Sequence, residues 1–159
     1  MNKNIILFSF FILTWFNHVQ AQEWQRYSDS IYSNILKNNI SKAEEFLNLA
    51  NEHIDTTTVV KDTIYADFLY HKGLVAYNLN KEPLNDYHEA INIWENSRFI
   101  NYYKLMKLHY FIARHHFSND NKEMAVHYFE KCYAINKNNQ LKFNPNYNHS
   151  ISFLMYLYY

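Results

Sequence analysis

The chain has 159 residues, 15 Lys and Arg against 15 Asp and Glu, and a 48% hydrophobic share. That apolar share excludes a disordered polymer, and zero net charge without a basic run gives nothing to draw the chain onto nucleic acid or anionic lipid. One glycine, Gly73, and one cysteine, Cys132, exclude glycine-rich phosphate loops, glycine-flanked serine nucleophiles, Cys-x-x-Cys pairs and any internal disulfide.

Residues 1–21 carry one cation, Lys3, an apolar run from Ile5 to Phe16, and Val19-Gln20-Ala21 as a small-residue cleavage site. This reads as a secretory signal peptide cut after Ala21, because a span needs about 20 apolar residues. No cysteine follows the run to carry a lipid. The expectation is a periplasmic or secreted protein that leaves the membrane once cleaved.

The first helical unit, residues 24–58, places Tyr27 and Ile31 on one helix and Ala43-Leu47-Ala50 on the next, with a loop over Asp55–Thr58. The second, 62–98, repeats this with Leu69 and Gly73, then Ala90-Trp94-Ser97, around a loop at Asn78–Asn85 that contains Pro83. The third, 100–137, has His109 and Ala113, then Ala125-Phe129-Cys132, divided at Ser118–Asn121 and followed by a loop over Asn136–Asn146. An incomplete fourth, 146–159, offers Ile151 and Met155 and no second helix. From Ile31 to Gly73 to Ala113 to Met155 the steps are 42, 40 and 42 residues, a period that marks a helical repeat array. Each small–large–small triad at i, i+4, i+7 lies on one helical face, where small residues let a neighbouring helix approach. Ser41 with Glu44, Asp86 with Glu89 and Asp120 with Glu123 offer a capping side chain and a carboxylate three residues later as helix starts. No alternating strand pattern intervenes, so the expected class is all-α.

Asp86–Ser97 and Glu123–Ile135 resemble the second helix of tetratricopeptide repeats, and Leu108–Phe117 resembles the first. The period is closer to the longer, kinesin-light-chain-like variant than to the usual 34 residues. Lys72 departs from the pattern at a position that is usually apolar, and the second unit's turn is longer than the third's. The resemblance implies antiparallel helix-turn-helix repeats stacked as a short right-handed α-solenoid. Its first helices would line a concave, peptide-binding face. On that reading Asp67, Tyr70, Leu74 and Tyr77 of the second unit and Lys107, Tyr110, Arg114 and Phe117 of the third are the ligand-binding candidates, with Tyr32 and Ile35 in the first.

No catalytic constellation accompanies them. His109 with His115 or His116 fails the i, i+3 or i, i+4 spacing that two ligands on one helix face need, and His88-Glu89 is followed by Asn92 where a zinc-protease helix needs histidine. Cys132 sits at a small-residue core position, which predicts a buried, inert thiol. The expectation is a binding scaffold with no cofactor or metal and a protein or peptide partner. The bare apolar face of Ile151, Phe153, Leu154, Met155, Leu157 and Tyr158 adds two more expectations. One is self-association through the uncapped last helix; the other is that the repeats are the N-terminal sensor or regulatory region of a longer bacterial signalling protein.

Overall fold

The computed structural model describes residues 22–54, 63–98, 100–141 and 145–158. The segment read as a signal peptide, residues 1–21, and the Asp55–Thr58 loop lie outside the described residues. Among those described there are seven helices and no strand: α1 (residues 22–36), α2 (Ile40–His53), α3 (Thr63–Asn78), α4 (Leu84–Glu95), α5 (Tyr102–Ser118), α6 (Lys122–Asn139) and α7 (Pro145–Tyr158). They fall into two compact units, Met1–Val60 and Lys61–Tyr159.

In the first unit the triad Ala43, Leu47 and Ala50 of α2 is buried, as are Trp24 and Ile31 of α1. Tyr27 stacks on His53 with ring centroids 5.8 Å apart.

The second unit is built from hairpins. Met106 meets Asn136 and His116 meets Tyr128, so α5 and α6 run antiparallel. Cys132 meets Ser150 and Phe129 meets Phe153, which gives α6 and α7 the same relation. In α3, Ala66, Phe68, Leu69, Tyr70, His71, Leu74 and Val75 are all buried, the mark of a helix covered on several sides. Gly73 is the close-approach point of α3 and α4. A Cβ built there would lie 2.7 Å from Cδ1 and 2.9 Å from Cζ of Tyr87, a side chain with no exposed surface. Lys72, the departure from the apolar pattern, points outward and its Nζ pairs with Asp86 at 2.6 Å.

Three of the turns share one backbone form. Asn38, Asn80 and Asp120 each take a left-handed φ, 57°, 55° and 57°. The following residue's N–H donates to the carbonyl five positions back: Asn39 to Asn34, Lys81 to Ala76 and Asn121 to His116, at 2.8, 2.8 and 2.9 Å. This is the Schellman closure, made here with Asn and Asp because glycine is lacking. Asn side chains finish the helix ends too, with Asn34, Asn78, Asn96, Asn119 and Asn139 each donating to the carbonyl four residues earlier. The abundance of asparagine therefore has a local use.

Several boundaries differ from the sequence reading. The caps are Asn39, Asn101 and Asn121, which accept the N–H groups of Lys42, Lys104 and Met124. Ser41 and Asp86 lie inside the first turn, and Asp120 is the left-handed turn residue, which passes the cap to its neighbour. At α4 the proline cannot cap, and Glu82 accepts the Leu84 N–H instead, at 2.8 Å. Residues 136–139, expected in a loop, continue α6, with Gln140 ending it at φ 48°. Pro145 opens α7 at the first helical position, where its missing N–H costs nothing. Ser97 lies beyond α4, its hydroxyl donating to the Trp94 carbonyl. Met155, aligned with the buried Gly73 and Ala113, is 60% exposed, since among the described residues no later helix packs on that side of α7.

Candidate functional site, the seam of α3 and α5

Helix α3 meets α5 in parallel, residue i facing residue i+37. Asp67 pairs with Lys104 across a separation of 37 residues. The Lys107 ammonium lies 5.7 Å from the Tyr70 ring centre, and the Arg114 guanidinium 5.9 Å from that of Tyr77. Positions 67, 70 and 77, like 104, 107 and 114, recur at helical spacing, so both sets fall on one face of their helix. The contact offset is one turn short of the 40-residue repeat, because a residue on one flank of α3 meets the opposite flank of α5 and not its own counterpart.

Each cation is also held from a second side. Lys104 lies 5.2 Å from the Trp94 ring, Lys107 5.1 Å from Tyr103, and Arg114 6.0 Å from Tyr110. These are cation–aromatic distances at which a partly desolvated pair contributes about 0.5–2 kcal/mol. Burial, and then the neighbouring Lys104, lower the pKa of Lys107, while Asp67 acts in the other direction. The Tyr110 hydroxyl is raised by burial, against the pull of Arg114. Along this seam three cations face one carboxylate, a local excess of positive charge in a chain that is neutral as a whole.

The sequence-derived candidates divide by depth. Tyr70, Leu74 and Tyr110 are buried at 8%, 3% and 4% exposure; the Tyr70 ring faces Lys107 across the seam, and the Tyr110 ring faces Arg114 of its own helix. Asp67 is half-buried in its ion pair with Lys104. Tyr77, Lys107 and Arg114 keep accessible surface. Phe117, also half-buried, turns to α7, 4.9 Å from Phe153 and 6.1 Å from Tyr156. Beyond Tyr77 the ends of α3 and α5 enclose a polar cleft lined by Asn78, Lys81, His115 and Asn119. Lys104 and the 45% exposed Tyr103 also belong to the site and were not among the candidates. The repeat spacing aligns equivalent residues, whereas lateral contact follows the shorter offset.

On the far side of α5, Tyr110 stacks on His149 of α7, centroids 6.2 Å apart. Cys132 is buried, and burial raises its pKa to about 11 against the opposing effect of the Ser150 hydroxyl, which donates to Sγ at 3.1 Å. Among the described residues no group of three or more His, Cys, Asp or Glu side chains is placed to hold a metal ion, and no helix is long and apolar enough to cross a membrane. No family model, curated protein or solved structure matches the chain.

Proposed function

We propose that this chain is a tetratricopeptide-like α-solenoid of the exported bacterial type, holding a peptide or protein partner along α3 and α5 and carrying no catalysis. The observation that supports this most is the parallel, constant-offset pairing of the first helices of successive hairpins, with Asp67, Tyr70 and Tyr77 against Lys104, Lys107 and Arg114. Stacked repeats create such a row, and a row of rings and cations suits an extended chain. Rings contribute apolar area, and Lys107 and Arg114 offer donors to carbonyl or carboxylate oxygens. The buried Tyr70, Leu74 and Tyr110 then act as the floor beneath the contact residues Tyr77, Tyr103, Lys107 and Arg114.

A peptide array probed with the chain and with Lys107→Gln and Arg114→Gln variants tests the reading. Peptides that bind the parent should lose about tenfold or more with each variant, as expected for a charge-assisted hydrogen bond worth 1.5–3 kcal/mol. Equal binding by all three proteins would remove the seam from recognition. Self-association is a second reading, favoured by Met155, Tyr156 and Tyr158 of α7 at 60%, 71% and 61% exposure. Sedimentation over a wide concentration range tests it, with Met155→Glu as the variant expected to remain monomeric.

A further inference from the structure

Four of the histidines gather around one phenol. Tyr128 of α6 lies 5.9 Å from His88 of α4, 5.8 Å from His109 and 5.8 Å from His116 of α5, and 5.2 Å from its neighbour His127, all centroid to centroid. The rings of His109 and His116 stack on Tyr128, with interplanar angles of 27° and 15°. Three helices are thus joined through imidazoles in van der Waals packing, and neither repeat geometry nor peptide binding requires histidine for that. A phenylalanine or leucine would fill the same space without an ionisable group.

We propose that this cluster is an acid-sensitive latch: neutral, its imidazoles clamp α4 and α5 onto Tyr128, and protonation of His88, His109 and His116 in mildly acidic medium loosens that junction. The surroundings give a proton on the buried His109 little compensation. His109 is buried, and its Nδ1 has no hydrogen-bond partner among the described residues, so the imidazolium, which carries an N–H on each nitrogen, would leave that one without an acceptor. Lys131 on α6, with its ammonium 5.1 Å from the Tyr128 ring, repels a charge on His88 and on His109. His88 and His127 add to the repulsion at His109, and His115 and His88 do so at His116. Glu82, before α4, is the carboxylate that favours the charged form of His116, and it also sits 3.5 Å from His115. Other carboxylates of the flanking helices act elsewhere, Glu89 on Tyr65 and Glu130 as acceptor for Tyr158 of α7 at 2.6 Å. No group of α3 or α7 figures among the influences on His88, His109 or His116.

Burial first, then these like charges, lower the pKa of His109 to about 4 and those of His88 and His116 in the same direction. A histidine with a lowered folded-state pKa gives its full stability above the unfolded value of 6.5, and loses it as pH falls below 6.5 toward the folded value. The window therefore opens just below pH 6.5, and ordinary buffers reach it.

The test compares urea unfolding of the whole chain with that of the His109→Phe/His116→Phe variant, which keeps the stacking and removes the titration. Between pH 7.5 and 5.0 the parent's unfolding constant should rise by ~30-fold from His109 alone, and the variant's rise should be smaller by at least ~10-fold. Equal rises would overturn the proposal. A second measurement, carbon-detected NMR titration of the imidazoles in the parent chain, does not depend on the variant folding. Resonances of His109 that stay neutral down to the onset of acid unfolding support the latch, and a His109 titrating at its ordinary value near 6.5 in the folded chain sinks it.

Discussion

Replacing Gly73 by alanine sets two ordinary effects against each other, and the structure says which prevails. In an exposed helix interior the change would stabilise by about 1 kcal/mol, because alanine loses less backbone entropy. Here the new methyl would stand 2.7 and 2.9 Å from Tyr87 Cδ1 and Cζ, where carbon atoms prefer about 3.5–4.0 Å, so the ring must retreat by about 1 Å. Tyr87 has no free surface to retreat into, and its ring stacks against Phe111 at 6.2 Å. Overpacking of this kind costs about 1–3 kcal/mol, so the net expectation is a loss of up to about 2 kcal/mol in urea unfolding. The decisive comparison repeats Gly73→Ala in a Tyr87→Leu background. With the ring gone, alanine should stabilise by about 1 kcal/mol, a reversal of sign and a coupling energy of about 1–3 kcal/mol. Stabilisation by Gly73→Ala in the parent chain would refute the close approach of α3 and α4.

Other outcomes follow from single features. Tyr87→Phe removes a buried hydroxyl that has no hydrogen-bond partner, and thermal unfolding should show stability unchanged or raised by up to about 1 kcal/mol; a loss above about 1.5 kcal/mol would mean the hydroxyl is satisfied. Asp120→Gly relieves a left-handed residue and should add about 0.5–1 kcal/mol by denaturant titration, whereas Asp120→Ala should not. Asn121→Ala removes the cap of α6 and should cost about 1 kcal/mol, with Asn121→Asp tolerated. Cys132, with its pKa raised to about 11 by burial, should resist a thiol reagent at pH 8 in the folded chain and react only as urea unfolds it; native-state labelling at the rate of a free cysteine would contradict its burial.

The sequence by itself determined the helical class and the period. The small–large–small triads mark buried faces, since Ala43, Ala50, Ala90, Ala125 and Cys132 have at most 1% exposure and the large members are buried with them. The 42- and 40-residue steps return in the left-handed turns at Asn38, Asn80 and Asp120. These properties were legible because a helix buries residues at a fixed local spacing, and a chain reversal needs particular residue types. Cap positions were missed by one to three residues, since several neighbouring polar side chains can each satisfy the first-turn N–H groups and only the turn's path selects among them. Which aromatic residues lie on the floor of the α3–α5 seam and which stay accessible was decided by tertiary structure. So was the meeting of Asp67 with Lys104, and of four imidazoles from three helices around Tyr128. Helical spacing fixes which residues share a face, but not which flank of the neighbouring helix that face will touch. That depends on how far one helix is shifted along the next, which packing between the helices decides.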